Sequence, residues 1–172
     1  MNITGGKYKG QKISAPDEKI TRPTLSKVRM AVFNTLQSII DFEEKSFFDM
    51  YAGSGIMGLE ALSRGFGELL ACEKNKEVYR ILKNNFSKYE KENDIKLILG
   101  DSMKIAAKID KVYDVIYIDP PYFSEVYEQS LDAVKGKGGI IILEHVADVD
   151  MSGFKLIKQK QYGDKFVSFI TL

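Results

Sequence analysis

The chain has 172 residues, 44% hydrophobic and 28% charged, enough for one globular domain with a real apolar core and cramped for two. A single cysteine, Cys72, and a single histidine, His145, exclude a disulfide framework and a zinc cluster; with no signal-peptide run and no spanning-length apolar stretch, a soluble, cytoplasmic, metal-free protein is expected. The net charge of +1 hides an asymmetry, because residues 1–30 hold seven Lys/Arg against two acids (+5) and residues 31–172 carry −4.

In chain order, residues 2–14 alternate apolar positions with Gly5-Gly6 and Gly10, which predicts a short hairpin, and Pro16 and Pro23 bracket an extended linker. From Ser26, a candidate N-cap, Val28, Ala31, Val32, Thr35, Leu36 and Ile39 recur at helical spacing. The segment 1–40 is therefore a basic hairpin, linker and helix set on a core at 46–172. In that core, strands are predicted at 46–51, 68–72, 95–99, 113–118, 139–144, 154–160 and 165–171, with helices at 57–64, 75–90, 102–109 and 124–135. Regular β-α alternation with wholly apolar strands predicts a doubly wound, mostly parallel seven-stranded sheet of Rossmann-like α/β class. The last two strands are separated only by a turn and should form an antiparallel edge hairpin.

Phe47 to Gly58 reads as strand, glycine turn and helix start, with Gly53, Gly55 and Gly58 at the G-x-G-x-x-G spacing of nucleotide-binding crossovers. Glu73 follows Gly53 by twenty positions, where such folds accept hydrogen bonds from ribose hydroxyls. Nicotinamide cofactors and S-adenosylmethionine both present an adenosine there. Two acids lean toward the methyl donor. Asp49, before the loop, would repel a pyrophosphate yet could orient the loop or meet an ammonium group. Asp101 suits an adenine amino group, and also a helix N-cap.

Asp119-Pro120-Pro121-Tyr122 closes the strand at 113–118, at the sheet edge where ligands bind. Two prolines fix a rigid turn without backbone donors, so the turn offers carbonyls and the Asp119 carboxylate as acceptors. An exocyclic amine has two N–H donors and a lone pair delocalised into the ring. Accepting both hydrogens raises electron density at nitrogen and aims it at a methyl sulfonium. Tyr122 adds a stacking face for an unstacked base, a contact of about 1–3 kcal/mol in single-strand complexes. The residues thus predict a methyltransferase acting on an amino group of a nucleic-acid base.

At these residues the chain resembles the RsmD family of bacterial small-subunit (16S) ribosomal RNA guanine-N2 methyltransferases, almost end to end. The resemblance lies in Gly5-Gly6-Lys7-Tyr8-Lys9-Gly10, in Thr21-Arg22-Pro23-Thr24 leading into Val28 to Leu36, in Gly53 to Gly65, and in Asp119-Pro120-Pro121-Tyr122. It implies S-adenosylmethionine as cofactor, held by Asp49, Tyr51, Gly53, Gly55, Glu73, Asp101, Ser102 and Asp119. Asp119, Pro120 and Tyr122 become the catalytic set. A monomer acting on 16S rRNA in an assembling small subunit is implied, with Lys7, Lys9, Lys12, Arg22, Thr24, Lys27 and Arg29 as RNA contacts. Competing readings are a DNA adenine-N6 methyltransferase, which shares Asp-Pro-Pro-Tyr but usually carries a separate recognition region, a nicotinamide-dependent oxidoreductase, which leaves the proline turn unexplained, and a non-catalytic RNA-binding module.

Overall fold

In a computed structural model that describes residues 1–17, 25–121, 124–146 and 148–172, the apolar runs pair as one seven-stranded sheet. The strands are β1 (Ser46–Asp49), β2 (Glu68–Glu73), β3 (Asp94–Leu99), β4 (Tyr113–Ile118), β5 (Gly138–His145), β6 (Lys155–Tyr162) and β7 (Lys165–Thr171), in the order β3-β2-β1-β4-β5-β7-β6. The helices are α1 (Ser26–Gln37), α2 (Ile56–Ser63), α3 (Lys76–Phe86), α4 (Ser102–Lys108) and α5 (Ser124–Val134). The first five strands in the sheet order are parallel, and β7 pairs antiparallel with both β5 and β6. The expected edge hairpin is present, with its second strand inserted between the first and the rest of the sheet.

Side chains alternate across each strand, so every strand feeds two cores. Phe47, Leu69, Val115, Tyr117, Ile142 and Phe169 face α1, α2 and α3. Phe48, Leu70, Ile116, Ile118, Ile141 and Leu143 face α4 and α5. Helices on both faces account for the continuous apolar runs in β4 and β5, since neither face of these strands meets water. None of the helices among the described residues is long and apolar enough to cross a membrane.

The N-terminal segment is attached by Ile3, Tyr8 and Ile13 buried in the core and by polar contacts, rather than by a strand ladder. Its hairpin reduces to one bridge, Asn2 to Lys12, with turns between. Glu60 of α2, fully buried, accepts the Thr4 amide at 2.7 Å and ion-pairs with Arg29 of α1 and with Arg64. Ser63 accepts the Tyr8 amide at 2.8 Å and donates to the Gly5 carbonyl. Asn85 of α3 holds the Ser14 amide and carbonyl. Two expectations change here. Arg29, 1% exposed and bonded to Glu60 and the Asn2 carbonyl, is a core cation and not an RNA contact. Ser26 is the first helical residue and not the cap, because its hydroxyl accepts from Arg29; Leu25 takes the cap position without a side-chain bond.

Removing one partner of a buried ion pair leaves the other charge uncompensated, at about 3–5 kcal/mol. Arg29→Ala is expected to lower unfolding free energy by that amount in urea titration, whereas Lys9→Ala and Lys27→Ala, at exposed positions, should change it little.

Candidate active site

Strand order reverses between β1, whose successor β2 lies on one side, and β4 on the other. The loops that leave β1 and β4 therefore part in opposite directions and open a crevice between them, the place where open α/β sheets bind ligands. Strand register decides which side chains meet there. Asp49 pairs with Ala71 and Tyr117, so Glu73 and Asp119 each lie two residues beyond a neighbour of Asp49. Glu73 in turn pairs with Leu99, which puts Asp101 two residues further along the rim. The crevice edge thus carries Asp101, Glu73, Asp49 and Asp119 on four adjacent strands.

These carboxylates are held differently. Glu73 accepts the Gly53 amide at 3.0 Å and the Asn75 amide at 2.7 Å, tying the end of β2 to the glycine loop. Asp101 caps α4 by accepting the Met103 and Lys104 amides through one oxygen; the other lies 3.9 Å from Lys74. Ser102 is buried at the start of that helix. Asp49 is 1% exposed, and neither of its oxygens has a hydrogen-bond partner, although the Tyr51 and Gly58 amides lie nearby. Burial, then the charges of Asp119 and Glu73, push its pKa up to about 8. Asp119 is 19% exposed at its side chain, with Lys165 at 3.4 Å.

The two glycines of the loop have different reasons. Both are left-handed, Gly53 at φ 54° and Gly55 at φ 84°. A Cβ on Gly53 would enter open space, so the backbone there can approach a ligand; a Cβ on Gly55 would come within 2.3 Å of Phe86 and 2.6 Å of Leu82. Gly55 therefore lets α2 start against α3 rather than admitting a ligand. The Tyr51 hydroxyl is engaged with Ser130 of α5 at 2.7 Å, which directs the ring into the second core. Asn85 also donates to the Ser54 carbonyl, joining the glycine loop to the N-terminal segment.

After Asp119, Pro120 is buried and Pro121 exposed. Tyr122, Arg22 and Thr24 lie outside the described residues. Lys7 is exposed but paired with Glu92 at 2.7 Å, while Lys9, Lys12 and Lys27 are exposed. Lys12 lines a cleft of about 260 Å³ with Ser14, Asn84, Ser87 and Lys88. Lys165 and Glu144 join the site without any sequence signal beyond the charge itself. His145, next in line, faces the opposite side of β5 and contacts Ser168 at 2.9 Å. Burial pushes the Cys72 thiol up to about 12, which removes it as a nucleophile.

The arrangement offers a loop-bound carboxylate (Glu73), a buried acid suited to a cationic group (Asp49), a helix-capping acid on the same rim (Asp101), and an acceptor-only turn (Asp119 and the prolines). That set of acceptors fits an adenosine ligand carrying positive charge. It fits a pyrophosphate poorly.

Comparison with known proteins agrees with the fold and the motifs. The family model described as conserved hypothetical protein 95 matches residues 1–171. The chain is 29% identical to ribosomal RNA small subunit methyltransferase D of Escherichia coli (strain K12), covering 80% of this chain and 68% of that protein. It is 33% identical to the protein of the same name from Buchnera aphidicola subsp. Acyrthosiphon pisum, covering 78% and 70%. The solved structure of the Escherichia coli protein yhhF superposes with a TM-score of 0.85 at 24% identity, covering 99% and 97%. The family match across nearly the whole length, with a relative at 33% identity over most of it, places this chain in the RsmD family of ribosomal RNA small subunit methyltransferases.

Proposed function

We propose that the chain transfers a methyl group from S-adenosylmethionine to the exocyclic N2 amine of a guanine in 16S ribosomal RNA. Residues 1–172 act as one methyltransferase domain, a cytoplasmic monomer working on an assembling small subunit. The observation that carries this reading is the acceptor-only turn of Asp119 and the prolines at the crevice, beside a buried Asp49 and a loop-bound Glu73. The ribosomal substrate rests on the names of the relatives.

When bound, S-adenosylmethionine supplies an electrophilic methyl group on a sulfonium. Glu73 would receive the ribose hydroxyls on lone pairs not used by the Gly53 and Asn75 amides, Asp101 and Ser102 would hold the adenine, and Gly53 would allow close backbone approach. Asp119 and the turn carbonyls accept the two amine hydrogens, and Tyr122 stacks the guanine. With both hydrogens accepted there, the amine would be held with its lone pair free for the methyl group, and its extra proton would pass to water, so no general base is required. Lys9, Lys12 and Lys27 supply phosphate contacts.

Asp119→Ala should abolish transfer of labelled methyl to small-subunit particles lacking the modification, while calorimetry still detects cofactor binding. Duplex DNA should accept no label. Transfer that persists in the variant would sink the mechanism.

Asp49 gives two further expectations. Its pKa is raised from about 4 unfolded to about 8 folded, so the folded state binds the extra proton across that interval. Stability is then full below about pH 4 and falls as pH rises toward about 8; thermal melts of Asp49→Asn should lack this decline. A cation arriving beside Asp49 favours the ionised form. Cofactor binding at pH 7 should release about one proton in the wild type, and none in Asp49→Asn, read from calorimetry in buffers of different ionisation heat.

A further inference from the structure

Lys165 stands at the first position of β7, and its ammonium spans two carboxylates, Glu144 at 2.5 Å and Asp119 at 3.4 Å. Glu144, on β5, is 1% exposed, and its second oxygen accepts the Tyr117 hydroxyl. Tyr117, Glu144 and Lys165 therefore form a chain on one face of the sheet that ends at the proline turn. The sheet does not need this chain for closure. Backbone pairs from Ile141 with Ile170 to His145 with Phe166 already join β5 to β7, and Val167 and Phe169 pack the same face. Apolar residues would cover that end of the face without the cost of desolvating two charges. What the charged chain adds is a fixed cation beside the one carboxylate that the proline turn presents.

We infer that Lys165, anchored by Glu144 and Tyr117, is a positioning residue that fixes the orientation of the Asp119 carboxylate and keeps it in its ionised, hydrogen-accepting form. The inference rests on the methyl-transfer reading for what Asp119 does, but not for the contact itself. Among the described residues, the groups facing Asp119 include Lys165 from β7, Glu144 from β5, Tyr117 from β4 and Asp49 from β1. Tyr117 is held neutral because burial pushes its hydroxyl well above the ordinary value, and Asp49 holds its proton below about pH 8, so Glu144 is the acid among them that opposes ionisation of Asp119. Among the described residues Lys165 is a cation that faces Asp119, so its removal favours the protonated carboxyl.

The test compares wild type, Lys165→Met and Lys165→Arg in two measurements. One is the pH profile of kcat and KM with small-subunit particles; the other is the Asp119 carboxyl titration by NMR, which needs no activity. Lys165→Met is expected to lower kcat on the order of 10- to 100-fold with little change in KM. The acidic limb and the NMR titration should both move up by about one pH unit, as loss of a cation at this range predicts. Lys165→Arg should restore most of both. An unchanged Asp119 titration in Lys165→Met, or a kcat loss with no movement of the limb and no rescue by arginine, overturns the inference. If Lys165→Met does not fold, Lys165→Gln, which keeps a polar head beside Glu144, is read in the same way: an upward-moved Asp119 titration supports the inference and an unmoved one overturns it. Failure of the methyl-transfer reading shows separately, as wild-type inactivity on the particles with the NMR shift intact.

Discussion

The burial of Asp49 among other carboxylates is the constraint to which the rest of the site answers. The reversal of strand order brings the ends of β1, β2 and β4 together, and each carries an acid at or just beyond its last residue. Like charges at such positions cannot all ionise cheaply in a low dielectric. The fold relieves them in three ways. Glu73 is satisfied by two backbone amides, Asp119 by an ammonium, and Asp49 by neither, so it takes a proton. An edge in this condition is receptive to positive charge and to N–H donors, and both are what a sulfonium donor and an exocyclic amine bring.

The same contrast between satisfied and unsatisfied charge organises the N-terminal segment. Glu60 gathers the Thr4 amide, Arg29 and Arg64 inside the protein, and this cluster fixes the hairpin on α2 while Asn85 fixes its far end on α3. Basic residues of the segment thereby divide into two kinds. Arg29 is consumed by folding; Lys9, Lys12 and Lys27 remain in solvent on a rigid support. Because Asn85 also touches Ser54, that support reaches the glycine loop at the crevice.

Much of this was legible in the amino-acid sequence because it depends on local period. The apolar runs at 113–118 and 165–171 coincide with β4 and β7, and the glycine spacing with Glu73 twenty residues on marked a real contact, from the Gly53 amide. What local pattern could not carry was the identity of distant partners. Arg29 and Lys27 are two residues apart and indistinguishable as cations until a helix turns one toward Glu60, 31 positions away. Gly55 reads like Gly53, yet Phe86 and Leu82 explain it, and both arrive with a later helix. Ser26 looked like a cap because serine usually caps, but a guanidinium competed for its oxygen.

The edge hairpin shows why such partners matter for chemistry. Had β6 paired with β5 in simple succession, the turn between the last two strands would have delivered Lys165 to the outermost strand, away from the crevice. Insertion of β7 between β5 and β6 places the first residue of β7 beside Glu144 and within reach of Asp119, 46 positions earlier in the chain. A hairpin that in isolation would be marginal is anchored by its ladder to β5 and by Val167 and Phe169 in the core. The segment that closes the sheet edge is then also the one that sets the electrostatic state of the proline turn.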